Sequence, residues 1–316
     1  MGGENQKRPG DFVWASVRSD LRNLHRSGKV PDSWERETYN AMKNGGRVLA
    51  LVVVGLTLLS TAACSKLRAR DQLNKGVQAY KNTHYEEAIG HFQQAVELDP
   101  SLTNARLYLA TALANQYIPG ADNPENTKVA EQAIEVFKKV LELNPPREQK
   151  VNSLKGIASL YFNMKKLDQA KEYHRKVIEL DPNDPETYYS IGVIDWTETY
   201  QPRMTKRAEL GLKNEDALPV KDKKACAALR DKSMASIQEG IDSLSKALEL
   251  RKDYDDAMAY MNLMYRERAD VQCDDPAARA ADLKAADEWV DKTLAEKKAK
   301  AEKQPGAGGI TMDQSK

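Results

Sequence analysis

The chain has 316 residues, with 48 basic and 47 acidic side chains that leave a formal net charge of +1. That balance provides no basic stripe for nucleic acid. Charged residues make up 30% and aromatic residues 7%, and the abundance of aliphatic, Ala, Lys and Glu residues, with no hairpin signal between alternating apolar runs, predicts an all-helical protein.

Residues 1–41 are mixed in character and precede a different kind of segment. From Val48 to Ser65 the chain runs without a charge, between Arg47 and Lys66, a borderline length for a membrane span. The run ends in Ser60-Thr61-Ala62-Ala63-Cys64, which resembles a bacterial lipobox, although Thr61 stands where Leu is usual. The resemblance implies cleavage before Cys64, followed by acylation of its thiol and of the new N-terminus. Read from Met42, the segment has a short basic start (Lys43, Arg47), an apolar stretch and small residues before the cut, the proportions of a secretory signal. The expectation is therefore that the natural start is Met42, that residues 1–41 are an upstream extension and 42–63 a signal peptide, and that Cys64 and a short tether to residue 68 carry the lipid. The alternative keeps Met1 and makes the apolar run an uncleaved inner-membrane signal anchor with a small cytoplasmic tail. In both cases the rest of the chain faces the far side of the inner membrane. Ser65 lacks the Asp associated with inner-membrane retention, which favours the outer membrane.

From residue 69 one pattern recurs. Its first copy, roughly 69–102, places Gly76, Tyr80, Tyr85, Ala88, Phe92, Ala95 and Asp99-Pro100 at small, aromatic, small and proline offsets, with Asn82-Thr83-His84 as the turn. A second copy begins near Thr103 with Leu107, Leu109, Ala110 and Leu113. Its other half, from about Thr127, carries Ala133, Phe137, Val140 and Asn144-Pro145 after a breaker-rich stretch from Ile118 to Pro124. The third copy, about 151–184, has Ala158, Tyr161, Leu167, Ala170, Val177 and Asp181-Pro182, with His174 at the place of the second aromatic residue. The anchors Ala88, Ala133 and Ala170 are 45 and 37 residues apart, so the extra residues fall between helices. A period of about 34 with these anchors resembles the tetratricopeptide repeat (TPR). The resemblance implies an all-α, right-handed superhelix of about five helix–turn–helix repeats over residues 69–295, in which small residues let helices approach and rings fill the space beside them.

Repeat four opens regularly, with Tyr188, Ile191, Gly192 and Trp196. Its second helix, with Ile237, Gly240, Leu244, Ala247 and Leu248, arrives late. Between them Gln201 to Asp231 reads as a long Lys- and Arg-rich loop, in which Asp222 to Leu229 allows a helical turn or two. Repeat five starts at Asp255 with Met258, Met261 and Tyr265 and resumes after Pro276 through Ala286, Trp289 and Leu294. Residues 296–316 read as a solvated, disordered tail.

Turns within repeats project from one edge of such a solenoid, which would bring Cys226 and Cys273 together as a disulfide closing a loop of about 46 residues. Two unrelated thiols remain the alternative. His84 and His91 read as solvated or packing residues, and neither a metal site nor a cofactor is expected. No GxSxG, HExxH or P-loop motif is present, and nothing singles out a catalytic group.

TPR proteins as a family bind peptides or partner helices on the concave surface lined by first helices. Carried over position by position, that surface comprises Tyr80, Asn104, Leu107, Tyr108, Thr111 and Asn115, then Asn152, Lys155, Ser159, Phe162 and Asn163, then Tyr189, Val193 and Trp196, then Tyr260 and Leu263. The lining is aromatic and amide-rich, suited to a neutral segment whose backbone the amides would bond. The positions that clamp a C-terminal carboxylate in chaperone-type TPRs are here Leu73, Val77, Tyr108, Asn152 and Gly156, which do not reproduce that clamp. The resulting expectation is a non-catalytic, membrane-anchored envelope scaffold facing the periplasm, with another protein or peptide as partner and no nucleic acid. The alternatives are a self-assembling structural protein, joined through Val290 and Leu294 on the last helix, and an accessory subunit of an envelope enzyme.

Overall fold

The computed structural model describes residues 64–303 except 122, 214 and 215. The upstream extension, the apolar stretch and the cleavage site lie outside the described residues. Among the described residues every regular element is helical: α1 (64–81), α2 (Tyr85–Leu98), α3 (Thr103–Gln116), α4 (Pro124–Glu142), α5 (Arg147–Asn163), α6 (Leu167–Leu180), α7 (Pro185–Glu209), α8 (Leu218–Lys221), α9 (Lys223–Leu250), α10 (Asp255–Asp270) and α11 (Pro276–Lys303). From Ala69 onward these stack in sequence order as a right-handed TPR superhelix. The pairs α1/α2, α3/α4, α5/α6, α7/α9 and α10/α11 form five repeats.

The anchor residues explain the close stacking. Gly76 on α1 faces Phe92 on α2 so tightly that a Cβ would lie 2.5 Å from the ring, and Gly192 on α7 stands in the same relation to Leu244 on α9. Phe92, Val140, Ile157, Val177, Ile237 and Leu244 are buried at the successive helix junctions. The turns inside repeats one and three carry Thr83 (φ 64°) and Lys165 (φ 58°) at equivalent places, a left-handed conformation that lets the chain reverse within three residues.

The stretch after Ile118 is held by one buried side chain. Asn126 accepts a hydrogen bond from the Ile118 amide at 2.8 Å and donates to the Ile118 and Ala121 carbonyls at 2.8 and 2.9 Å. Asn123 caps α4, which starts at Pro124 rather than near Thr127, because the Asn-Pro pair is a favourable cap and first helical residue.

Three expectations are corrected. Gln201 to Asp231 is largely helical: α7 runs to Glu209 across Pro202, α8 follows, and α9 begins at Lys223 behind the Asp222 cap, whose carboxylate accepts from the Ala225 amide at 2.9 Å. Its charges pair along and between helices, which is why a basic composition did not mark a loop. The start of the tail is also helical, since α11 continues to Lys303 and Lys300 pairs with Asp255. The Ala, Lys and Glu residues there are strong helix formers. Finally, residues 64–68, expected as a tether, belong to α1.

Candidate functional site

One opening among the predicted groove residues lies between the first helices of repeats three and four. Lys155, Ser159 and Phe162 of α5 face Tyr189, Ser190 and Val193 of α7 across a cavity of about 400 Å³ whose floor includes His174 of α6. That volume lies within the usual range for a small-molecule or side-chain pocket. Lys155 is anchored at one rim, its ammonium 2.6 Å from Asp184 and 3.6 Å from Glu186. Asp184 also caps α7 and accepts from the Thr187 hydroxyl. The carboxyl is held below the ordinary carboxylate range: its partial burial opposes ionisation, but the bonds from Lys155 and Thr187 outweigh it.

His174 replaces the aromatic anchor that Phe92 and Phe137 supply in repeats one and two. It is buried, and its Nδ1 has no hydrogen-bond partner. Burial, reinforced by the nearby Lys155 charge and opposed by Asp184, pushes its pKa down to about 4. The imidazole is therefore neutral in the fold, with a lone pair and an N–H available at the base of the cavity. The unfolded chain takes up this proton below about pH 6.5. Folding stability is thus unaffected above that pH, falls as the pH drops from about 6.5 to 4, and levels off below. Relative to His174→Phe, the natural chain should lose about 3 kcal/mol across this window, measurable as the difference between denaturant midpoints at pH 7 and pH 4.

The remaining predicted groove residues lie in several different surroundings. Tyr189, Trp196 and Tyr260 meet as a cluster of edge-on rings, with centroids 5.6 Å apart for Tyr189–Tyr260 and 5.5 Å for Trp196–Tyr260. Tyr254 and Tyr200 extend it at 5.0 and 4.7 Å. Burial raises the pKa of Tyr189 and of Tyr260, and pushes Tyr254 up to about 12. At the other end Asn115 donates to the Tyr80 hydroxyl, Asn104 accepts from Gln149 at 2.8 Å, and Tyr108, 41% exposed, stacks on Phe92 at 5.6 Å. Thr111 donates to the Leu107 carbonyl within its own helix. Leu107 and Leu263 are half-buried, and Asn152 is exposed. Asn163 lines a separate opening with Tyr117 and Lys166 at the turn edge.

At the solenoid's edge Cys226 and Cys273 form a disulfide with Cα atoms 5.6 Å apart. Cys226 sits in the first turn of α9 rather than in a loop, and Cys273 in the turn between α10 and α11. Cys64 is an exposed free thiol. His84 and His91 both lie near Glu87, and His91 also bonds Gln72 at 2.7 Å. Among the described residues no group of His, Cys, Asp and Glu side chains is arranged to hold a metal, and no helix is long and apolar enough to cross a membrane.

Two buried ionic clusters escaped the sequence reading. Lys171 reaches Asp195 at 2.8 Å, Glu198 at 3.2 Å and Glu239 at 3.3 Å. Arg203 grips Glu267 with two bonds of 2.7 and 2.8 Å and Asp270 with a third of 2.8 Å. The partners in these clusters are 24 to 68 residues apart, so only the folded register brings them together.

Family models for the tetratricopeptide repeat match residues 69–102 and 151–184. The chain is similar to a crystal structure of MamA protein, with a TM-score of 0.50 and 14% identity over 77% of this chain and 98% of that one. It is also similar to MamA from Desulfovibrio magneticus RS-1 (0.49, 16%, 73% and 96%) and to YrrB, a TPR protein with an unusual peptide-binding site (0.44, 14%, 73% and 90%). Comparison with curated protein sequences gives no match. The repeat matches and the fold agree that this chain carries tetratricopeptide repeats on an α-solenoid.

Proposed function

We propose that the chain is a non-catalytic binding scaffold of the cell envelope, anchored by lipid on Cys64 and facing the periplasm, that holds a segment of another protein in the groove of its first helices. Proteins built of these repeats mediate protein–protein interaction. The observation that carries the reading here is the cavity between α5 and α7, walled by Phe162, Tyr189 and Val193 and floored by neutral His174. Rings give large contact area with few rotatable bonds, and a side chain inserted there would be shielded from water. Lys155 is neutralised by its two acids, so the lining favours an uncharged segment. The exposed thiol of Cys64 is consistent with acylation, and the oxidised Cys226–Cys273 pair fits an extracytoplasmic compartment. Of the two membranes, the outer is favoured by Ser65.

Ser159 lines the cavity but is exposed, so Ser159→Arg should block it and lower recovery of a co-purified partner at least about tenfold while changing stability by less than about 0.5 kcal/mol. Undiminished recovery would remove the groove from the account. The anchor has its own test in intact mass and membrane fractionation of chains begun at Met1 and at Met42, each with and without Cys64→Ala. A membrane species with the mass of residues 64–316 plus acyl chains, lost in Cys64→Ala, is expected. An unprocessed membrane species indifferent to Cys64 would replace the lipid with a signal anchor.

A further inference from the structure

A further cavity, of about 450 Å³, lies where α7, α10 and α11 meet and shares no lining residue with the α5–α7 cavity. Four guanidinium groups line it, Arg203 and Arg207 from the extended part of α7, Arg266 from α10 and Arg279 from α11, and Asp270 is the one carboxylate among the lining residues. The extra turns of α7 supply two of the four, so the repeat-four insertion builds this site.

The charges do not cancel. Arg203 is bound to Glu267 and Asp270, and Arg207 shares Asp270 at 3.1 Å and donates to the Lys213 carbonyl. Arg266 pairs with Asp287 at 2.7 Å. Arg279 has no carboxylate within ion-pair distance among the described residues, and its Nε is buried without a hydrogen-bond partner. Three carboxylates thus face four guanidinium groups, and the surplus cation is the one whose donor is unsatisfied. A buried, unpaired donor is costly unless an acceptor reaches it. Tyr200, Met204 and Leu283 form the rest of the wall, and the volume exceeds what a bare ion needs.

We propose that this cavity binds a small organic anion, with a carboxylate or phosphate head held by Arg279 and Arg266 and an apolar body against Tyr200, Met204 and Leu283. Guanidinium forks match oxyanions in shape and charge, and such bonds are among the strongest polar contacts. The head can belong to a soluble organic acid or to a phospholipid.

Isothermal titration of the full detergent-solubilised chain with benzoate, phenyl phosphate and inorganic phosphate tests the proposal. Dihexanoyl phosphatidylglycerol, with dihexanoyl phosphatidylcholine as control, forms the lipid arm. Saturable binding of a soluble probe, weakened about tenfold or more by Arg279→Gln and also by Arg266→Gln, is expected for a soluble organic acid. The same dependence confined to phosphatidylglycerol would assign the head to a lipid. Both variants replace partly exposed side chains, and unchanged circular dichroism and thermal midpoint establish that they fold. Absence of binding by every probe, or binding indifferent to both variants, overturns the proposal.

Discussion

Replacing Arg203 by Met should destabilise the C-terminal repeats by about 3–5 kcal/mol. The substitution keeps the aliphatic stem but leaves Glu267, 1% exposed, without its ion-pair partner, and Asp270, 7% exposed, with Arg207 alone. Burial already raises the pKa of Glu267 above the carboxylate range even with Arg203 in place. Without Arg203 the carboxyl must either take up a proton or open the junction to water. Part of the loss should return on acidification, because protonation removes the uncompensated charge. The double change Arg203→Met, Glu267→Leu, which keeps Asp270 as the partner of buried Arg207, should recover most of it, since well-packed apolar replacements of a buried ion pair are often neutral. Guanidinium melts read by circular dichroism provide the check, and a loss below about 1 kcal/mol for Arg203→Met would mean that the cluster is wet.

Removing the disulfide should have an effect of similar size. Cross-linking two cysteines 47 positions apart restricts the unfolded chain by about 4 kcal/mol in the loop-entropy model. Cys226→Ala with Cys273→Ala should therefore lower stability by roughly that amount, concentrated where the bridge acts. A solenoid distributes stability by neighbouring repeats, so amide exchange should accelerate in α10, α11 and the first turns of α9. Amides of α2 to α5 should stay unchanged. Uniform acceleration over all repeats would show instead that the solenoid unfolds as one unit. The disulfide and Arg203 act on the same junction, so their losses should not add fully.

Much of this architecture is legible in the sequence, and the boundary follows from physics. Gly76, Gly192, Phe92 and Phe137 announce helix junctions because only a few residue types satisfy close approach, and their spacing repeats. The two cysteines were placed together by the same register, although Cys226 lies inside a helix rather than a turn. The long extension of α7 was not legible, because Arg203 and Arg207 look like solvated charges until Glu267 and Asp270, more than sixty residues later, are brought against them. Helix α11 was cut short for a related reason, since its last turns are polar on all sides and carry no apolar period to follow. Around the α5–α7 cavity the walls are first-helix residues at family positions, but the lining also includes His174, a second-helix residue that those positions do not cover.

If the α5–α7 cavity holds a partner segment, a probe at its rim will sit within reach of that segment. A photo-crosslinking amino acid placed at Ser159, with a matching position at exposed Glu172 on α6, reports what lies against each face in intact cells. A discrete adduct is expected from Ser159 alone, mapping to one segment of one partner and abolished by Tyr189→Ala. Adducts of equal pattern from both positions, or an adduct at Ser159 indifferent to Tyr189, would contradict a binding groove between α5 and α7.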